Sequence, residues 1–312
     1  MDAPSEGKEI MSAPPETRQP APRSALRRLV ARHPVAAFLI MVYTVNTAVA
    51  LVPVLTRRDI LPFDLAPYDS LGHIFGVALP AFIVVAATHG KVGVQDLAHR
   101  SLRWRVGVHW YLGALFGVPV AVVLCTSALY YDPAPLNALV EKWQLLFTEV
   151  LPQLLLLIVF FNLAEEVGWM GFLQARLQDR HGPLKASLIV TVPFALFHLP
   201  GWMVEFRLGL AQLPLALLLT GVFGISQMFA RVVMMWLYNN TGYSVLLVGL
   251  FHSSFNVTTS AFGPFIFGVA AGSEVVIGTG VVAVAAVLIV VLTRGRLSYR
   301  PERASQPAAV TP

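Results

Sequence analysis

Two adjacent carboxylates, Glu165 and Glu166, lie inside an apolar part of this 312-residue chain. A charge near the middle of a membrane helix costs at least about 2.5–3.5 kcal/mol on insertion scales, so ionisable residues in membrane segments usually serve a function. Two later apolar segments contain His198 and His252, and Asn256 follows His252 by four residues. That spacing places His252 and Asn256 on one face of a helix. We predict that these five residues meet inside a helical bundle.

A carboxylate, two imidazoles and a carboxamide together have the chemistry of a hydrolytic site. A glutamate can accept a proton from water that a histidine orients, while a second histidine and an asparagine can donate to a developing oxyanion. Glu165, His198 and His252 could instead hold zinc, with water in the open position. Because the sequence has no H-E-x-x-H pattern, these ligands would have to converge from three helices. Zinc is therefore a candidate cofactor, and catalysis by glutamate alone is the alternative.

Each of these residues also has a purely structural interpretation. Glu165 and Glu166 could be a solvated pair among lipid headgroups. His198 could be a packing residue bonded to a carbonyl, and His252 with Asn256 could form a polar contact between helices. Ionisable residues are rare inside membrane segments, which argues against all three of these structural interpretations holding at once.

The composition indicates a membrane protein. Hydrophobic residues make up 56% of the chain and charged residues 12%, and the mean hydropathy is +0.68, whereas soluble domains have about 25% charged residues. The net charge of +5 comes from basic residues between apolar segments, which is typical of cytoplasmic loops and argues against a nucleic-acid partner. The single cysteine, Cys125, excludes an intrachain disulfide and a cysteine-based zinc site.

Uncharged stretches of membrane-spanning length predict an all-α, polytopic bundle of about eight transmembrane helices. The predicted spans are 35–55, 71–88, 106–131, 143–169, 186–204, 208–238, 243–261 and 275–293. They form a transmembrane domain, 34–293, between a disordered basic tail, 1–33, and a C-terminal tail, 294–312. Most of the 22 Lys and Arg residues fall in segments that place both tails in the cytoplasm.

This layout places Glu165 near the cytoplasmic face of the membrane and His198 towards the outer face, so their meeting requires shifted boundaries, or broken or steeply tilted helices. Arg231 falls deep in the sixth predicted span. A buried cation needs a partner, and a structural salt bridge to Glu166 is the preferred interpretation. His73 and His109 lie near span ends without a recognisable motif, and we interpret them as interfacial.

Three ordered motifs on separate predicted spans carry a family resemblance. They are Glu-Glu followed by Gly-Trp and Gly-Phe-Leu-Gln over 165–174, Phe-x-x-x-His over 194–198, and His-x-x-x-Asn over 252–256. Together they resemble the CPBP family of intramembrane proteases (CAAX proteases and bacteriocin-processing enzymes, also called Abi) over about 90–260. The resemblance implies an eight-helix fold and endoproteolysis near the membrane. It also implies that Glu165 and His198 activate water, and that His252 and Asn256 stabilise the oxyanion.

One position departs from the family pattern, in which the first motif reads Glu-Glu-x-x-x-Arg. Met170 occupies the position of that arginine, which is expected to pair with a carboxylate such as Glu166. Three consequences stay open: Glu166 is protonated, Arg176 or Arg231 replaces the missing cation, or the enzyme is weakened or inactive.

The leading functional prediction is an intramembrane endopeptidase of the cell (cytoplasmic) membrane, acting on a membrane-associated protein or peptide in contact with the lipid bilayer. The alternative is a catalytically weakened family member that serves as a membrane scaffold or immunity-type binding protein, and Met170 is its main support. A transporter that uses the buried acid as a proton relay is a third interpretation. The sequence shows no repeated halves with paired broken helices, which argues against it.

Overall fold

The computed structural model of the protein describes residues 24–56, 72–130, 134–260 and 273–301. Every regular element in these ranges is helical, and no β-strand occurs among them, which confirms the predicted all-α class. The helices are α1 (Ala25–Arg32), α2 (Pro34–Thr56), α3 (Ile74–Ser101), α4 (Val108–Tyr130), α5 (Ala134–Glu141), α6 (Leu146–His181), α7 (Pro183–Phe197), α8 (Leu199–Glu205), α9 (Leu213–Asn240), α10 (Val245–Val257) and α11 (Ser273–Thr293).

Seven helical segments within the described ranges are long and apolar enough to cross a bilayer, so the chain is a multi-pass membrane protein. These segments are Pro34–Thr56, Ile74–Ser101, Val108–Leu129, Leu146–His181, Pro183–Glu205, Leu210–Asn240 and Val275–Thr293. They coincide with seven of the eight predicted spans.

The remaining predicted span, 243–261, contains α10, which is a buried core helix. Its 13 residues reach only about 20 Å at 1.5 Å per residue, against a hydrocarbon thickness of about 30 Å. Most of its side chains are buried, including His252. Seven of the about eight predicted spans therefore reach membrane-spanning length within the described residues, and residue 261, at the end of the eighth, lies outside them.

The long helix α6 carries the two carboxylates in its interior. The sequence predicts a span over 143–169 with Glu165 and Glu166 near its end, but α6 continues to His181. It continues because polar side chains beyond the carboxylates are buried and paired inside the protein. Gln174 Nε2, for example, donates to Ser187 Oγ at 2.9 Å.

Two π-helical segments of α6 flank the carboxylates, Leu157–Asn162 and Val167–Gln174. Such segments are rare and frequently occur at functional sites. In the second segment, Gly168 lets α3 approach closely, since a Cβ at this position would lie 2.5 Å from Val77 Cγ1 and 3.0 Å from Val77 O. This contact brings the beginning of α3 against the carboxylates.

The helices α7 and α8 form one interrupted span, and His198 lies at the interruption. Proline removes a backbone donor from a helix, and Pro193 lies one turn before the break. Side chains of α2 bond to carbonyl groups of this region: Tyr43 OH donates to Pro193 O at 2.8 Å. Asn46 Nδ2 donates to Phe197 O at 2.6 Å. His198 therefore lies inside its span, as the carboxylates do, and the conflict in the sequence-based layout disappears.

Buried aromatic rings pack next to the carboxylates and connect α2, α6 and α7. The Trp169 side chain is fully buried, and its ring centroid lies 5.7 Å from that of Phe38 and 5.6 Å from that of Phe194. Phe38 also contacts Phe172, with centroids 4.8 Å apart. Edge-on and tilted aromatic pairs of this kind add to the stability that burial provides, and they form a rigid apolar wall beside the site.

The last part of the predicted N-terminal tail, 1–33, forms the helix α1. Ser24 Oγ accepts a hydrogen bond from the Arg27 backbone N–H at 3.2 Å, which caps the helix. Arg27 Nε donates to Ala87 O of α3 at 3.0 Å. The cap and this bond attach α1 to the membrane domain, and residues 1–23 lie outside the described residues.

The beginning of the C-terminal tail, 294–312, packs against the membrane domain. Leu297 is fully buried, and Tyr299 OH donates to Asp179 Oδ1 at 2.7 Å. Burial of its ring and the neighbouring Asp179 carboxylate raise the pKa of Tyr299, so the phenol keeps its proton and this bond. Residues 302–312 lie outside the described residues.

Candidate active site

Glu165 lies in the interior of the bundle between two histidines. Its Oε1 atom lies 2.9 Å from His73 Nδ1, which is a hydrogen bond. Its Oε2 atom lies 3.9 Å from His252 Nδ1, which is beyond hydrogen-bond distance. The two oxygens of this carboxylate therefore have different surroundings, and no described residue donates a hydrogen bond to Oε2.

Glu166 shares His252 with Glu165 but has a different second partner, since adjacent residues on a helix project about 100° apart. Its Oε2 accepts a hydrogen bond from Arg231 Nη1 of α9 at 2.6 Å, and both side chains are fully buried. Its Oε1 lies 2.9 Å from His252 Nδ1. The predicted salt bridge between Arg231 and Glu166 is confirmed.

This salt bridge answers the question raised by Met170, whose side chain is fully buried in the apolar core. The cation that pairs with Glu166 comes from α9 instead of from the next turn of α6. Of the two arginines suggested as replacements, Arg231 makes the contact. Its guanidinium also lies 4.0 Å above the Phe194 ring, a cation–π contact in a desolvated place.

His198 faces the same region from the break between α7 and α8. Its Nδ1 atom donates to Phe194 O at 2.9 Å, so in the neutral ring Nε2 is an acceptor. The Phe194 ring contacts both predicted catalytic histidines, with centroid distances of 4.8 Å to His198 and 6.2 Å to His252. The Phe197 ring contacts both His198 and His73, with centroid distances of 5.3 and 6.1 Å.

Asn256 lies one turn after His252 on α10, as the spacing predicts. Its Nδ2 atom lies 3.5 Å from Asn162 Oδ1, a long contact. Asn162 Nδ2 in turn donates to Ser253 Oγ at 3.0 Å. Asn162 was not among the predicted site residues, although its place three residues before Glu165 was a signal, since it shares a helix face with that carboxylate.

The interpretation of His73 as an interfacial residue is wrong, because its ring contacts Glu165 at the beginning of α3. Its centroid also lies 5.0 Å from that of Phe161 and 6.1 Å from that of Phe197. No spacing within the sequence indicated this position. The contact arises because α3 packs on α6 at Gly168. Hydropathy does not predict how helices pack on one another.

Ligand atoms of Glu165, Glu166 and His252 lie within 4.8 Å of one another, which would allow a metal ion to be shared among them. Carboxylate and imidazole are the ligand types of catalytic zinc. The predicted zinc ligands were Glu165, His198 and His252, and His198 is not part of this group within the described residues. The donor types fit a metal, whereas the ligand set differs from the predicted one.

The fold and site define a class: a helical, multi-pass membrane protein with a buried cluster of carboxylates and imidazoles. A protein-family model described as type II CAAX prenyl endopeptidase, Rce1-like, matches residues 147–258. This segment contains all five predicted site residues, and the match agrees with the CPBP resemblance. No curated protein matches the chain.

Proposed function

We propose that the protein is an intramembrane endopeptidase that hydrolyses a peptide bond of a membrane-associated protein or peptide. The observation that carries the proposal is Glu165, a buried carboxylate whose Oε1 is hydrogen-bonded to His73 and whose Oε2 receives no hydrogen bond from the described residues. Its Oε2 lies 3.9 Å from His252 Nδ1, within the segment that matches the endopeptidase family.

Glu165 suits the role of general base better than Glu166 does. Both oxygens of Glu166 have partners, and its side chain is 0% exposed. The Glu165 side chain is 4% exposed, so a water molecule can reach it. Glu166 instead holds His252 and Arg231 in place, which is a structural contribution to the site.

In the proposed reaction, Glu165 Oε2 takes a proton from a water molecule that His198 orients. The water oxygen bonds to the carbonyl carbon of the substrate, and the carbonyl electron pair moves to its oxygen. When the oxyanion re-forms the carbonyl and the C–N bond breaks, Glu165 returns the proton to the leaving nitrogen, which gives a carboxylic acid and an amine. His252 and Asn256 donate to the oxyanion.

Donation by His252 sets a condition on its protonation. Its Nδ1 faces Glu166 Oε1 at 2.9 Å, so that nitrogen is engaged. To donate to the oxyanion from Nε2 as well, the ring has to be an imidazolium, in which both nitrogens carry protons. Two carboxylate oxygens face this ring, at 2.9 and 3.9 Å from Nδ1.

A zinc-dependent peptidase is the second version of the same proposal. Glu165, Glu166 and His252 would hold the ion, which would supply a Lewis acid. The contacts of Glu166 with Arg231 and His252 favour catalysis by glutamate alone, because a metal would have to compete with both.

The alternative is a weakened family member that acts as a membrane scaffold or immunity-type binding protein, favoured by Met170 at the position of the family's arginine. The pairing of Glu166 with Arg231 argues against it, because the charge balance of the site is kept. For either role we propose the cytoplasmic membrane as the location, with both termini in the cytoplasm.

The test is cleavage of membrane-anchored peptides by the purified protein in liposomes, with wild type beside His198→Ala and with or without a zinc chelator. We expect wild type to cut, His198→Ala to cut at least about tenfold more slowly, and the chelator to have no effect. Loss of cutting with the chelator would establish the zinc form. No cutting by wild type, combined with cutting by Met170→Arg, would favour the binding protein.

A further inference from the structure

His73 makes a contact with the site that no predicted motif includes. It lies at the beginning of α3, outside the residues that match the family, 147–258. Its Nδ1 atom lies 2.9 Å from Glu165 Oε1. The His73 side chain is 19% exposed and that of Glu165 is 4% exposed, so His73 lies at the more open side of the carboxylate.

The contact distinguishes the two oxygens of Glu165. Because Oε1 is hydrogen-bonded to His73, rotation of the carboxylate about its last bond is restricted. The other oxygen then faces His252 Nδ1 at 3.9 Å, a gap too long for a direct hydrogen bond. A general base acts efficiently only when the accepting oxygen is held in the right direction.

The ring of His73 is itself held in place. Phe161 and Phe197 contact it at centroid distances of 5.0 and 6.1 Å, both edge-on. The backbone beneath it is fixed by the contact of Val77 with Gly168, where no Cβ could fit. Because both the ring and the backbone of His73 are held by packing, its hydrogen bond fixes the orientation of the Glu165 carboxylate.

We infer that His73 is a positioning residue that orients Glu165 so that Oε2 is the oxygen that accepts the proton from water. The inference rests on the proposed function. It adds to the site a histidine on α3, from outside the family-matched segment.

The test uses three variants of the full chain and measures kcat and KM for a membrane-anchored peptide in liposomes. His73→Leu removes the hydrogen bond, and His73→Asn keeps an N–H donor near the position of Nδ1. His109→Leu is the matched control, because His109 is an exposed histidine at the beginning of α4.

We expect His73→Leu to lower kcat about 10- to 100-fold with little change in KM, as for the loss of one hydrogen bond to a charged group. His73→Asn should recover most of the loss, and His109→Leu should equal wild type. If His73 only supported the fold, His73→Asn would not restore kcat while KM stays constant.

A readout that needs no catalysis checks the contact itself. Thermal unfolding of His73→Leu, Glu165→Gln and the double variant should give non-additive shifts, since the two side chains are in contact. A His73→Leu variant with wild-type kcat overturns the inference while the proposed function stands. A wild type that cuts no peptide overturns the proposed function, and the positioning role with it.

Discussion

Replacing Arg231 by methionine is the sharpest test of how the site is kept stable. The substitution keeps much of the side-chain volume but leaves the Glu166 carboxylate buried without its cation. Breaking a buried pair from one side costs about 3–5 kcal/mol, and loss of the contact with Phe194 adds about 2 kcal/mol.

Part of this cost is offset, because Arg231 Nε and Nη2 have no hydrogen-bond partner among the described residues. Removing two buried, unsatisfied donors returns about 1–3 kcal/mol each. We therefore expect a net destabilisation of about 2 kcal/mol, taking values near the middle of these ranges. Thermal unfolding in detergent would show it as a midpoint lowered by about 5 °C.

The structure also offers a rescue and a control for this experiment. Met170 lies four residues after Glu166, so an arginine introduced there can reach the same carboxylate. The double variant Arg231→Met, Met170→Arg should recover a large part of the lost stability. Arg105→Met, at an exposed position outside the membrane spans, should unfold like wild type. An Arg231→Met variant as stable as wild type would refute the electrostatic role assigned to the pair.

Two further predictions concern the oxyanion and the helix contact that supports the site. Asn256→Ala should lower kcat about 10²- to 10³-fold, as for loss of one oxyanion donor, in steady-state cleavage assays; a smaller loss than tenfold would remove Asn256 from the site. Gly168→Ala should destabilise the protein by about 1–3 kcal/mol, because its Cβ would lie 2.5 Å from Val77 Cγ1. Thermal unfolding measures this loss, and Gly113→Ala is its control, since a Cβ there meets no atom within 4 Å.

The sequence predicts the fold class and most of the site because both depend on the cost of burying charge. Hydropathy alone identifies seven segments that the structure shows as candidate spans. A cation deep in a span needs an anion, and this argument correctly connects Arg231 with Glu166. The proposed roles of Glu165, His198, His252 and Asn256 stay predictions until cleavage is measured.

The sequence does not predict features that depend on how helices pack. The α6 helix extends beyond the predicted boundary because buried glutamines such as Gln174 find partners in other helices. The segment 243–261 is apolar enough for a span, yet α10 is short and buried. His73 reaches Glu165 only because α3 contacts a π-helical segment of α6 at Gly168. None of these contacts leaves a periodic pattern in the chain.

The central claim is that Glu165 activates water for peptide hydrolysis, and one rate comparison tests it most directly. Cleavage of a membrane-anchored peptide in liposomes is followed by mass spectrometry for wild type, Glu165→Gln and Glu149→Gln, the last an exposed glutamate of the same helix. The account predicts that Glu165→Gln loses at least about 10²-fold in rate while unfolding cooperatively, and that Glu149→Gln cuts like wild type. A folded Glu165→Gln variant that cuts at the wild-type rate would contradict it.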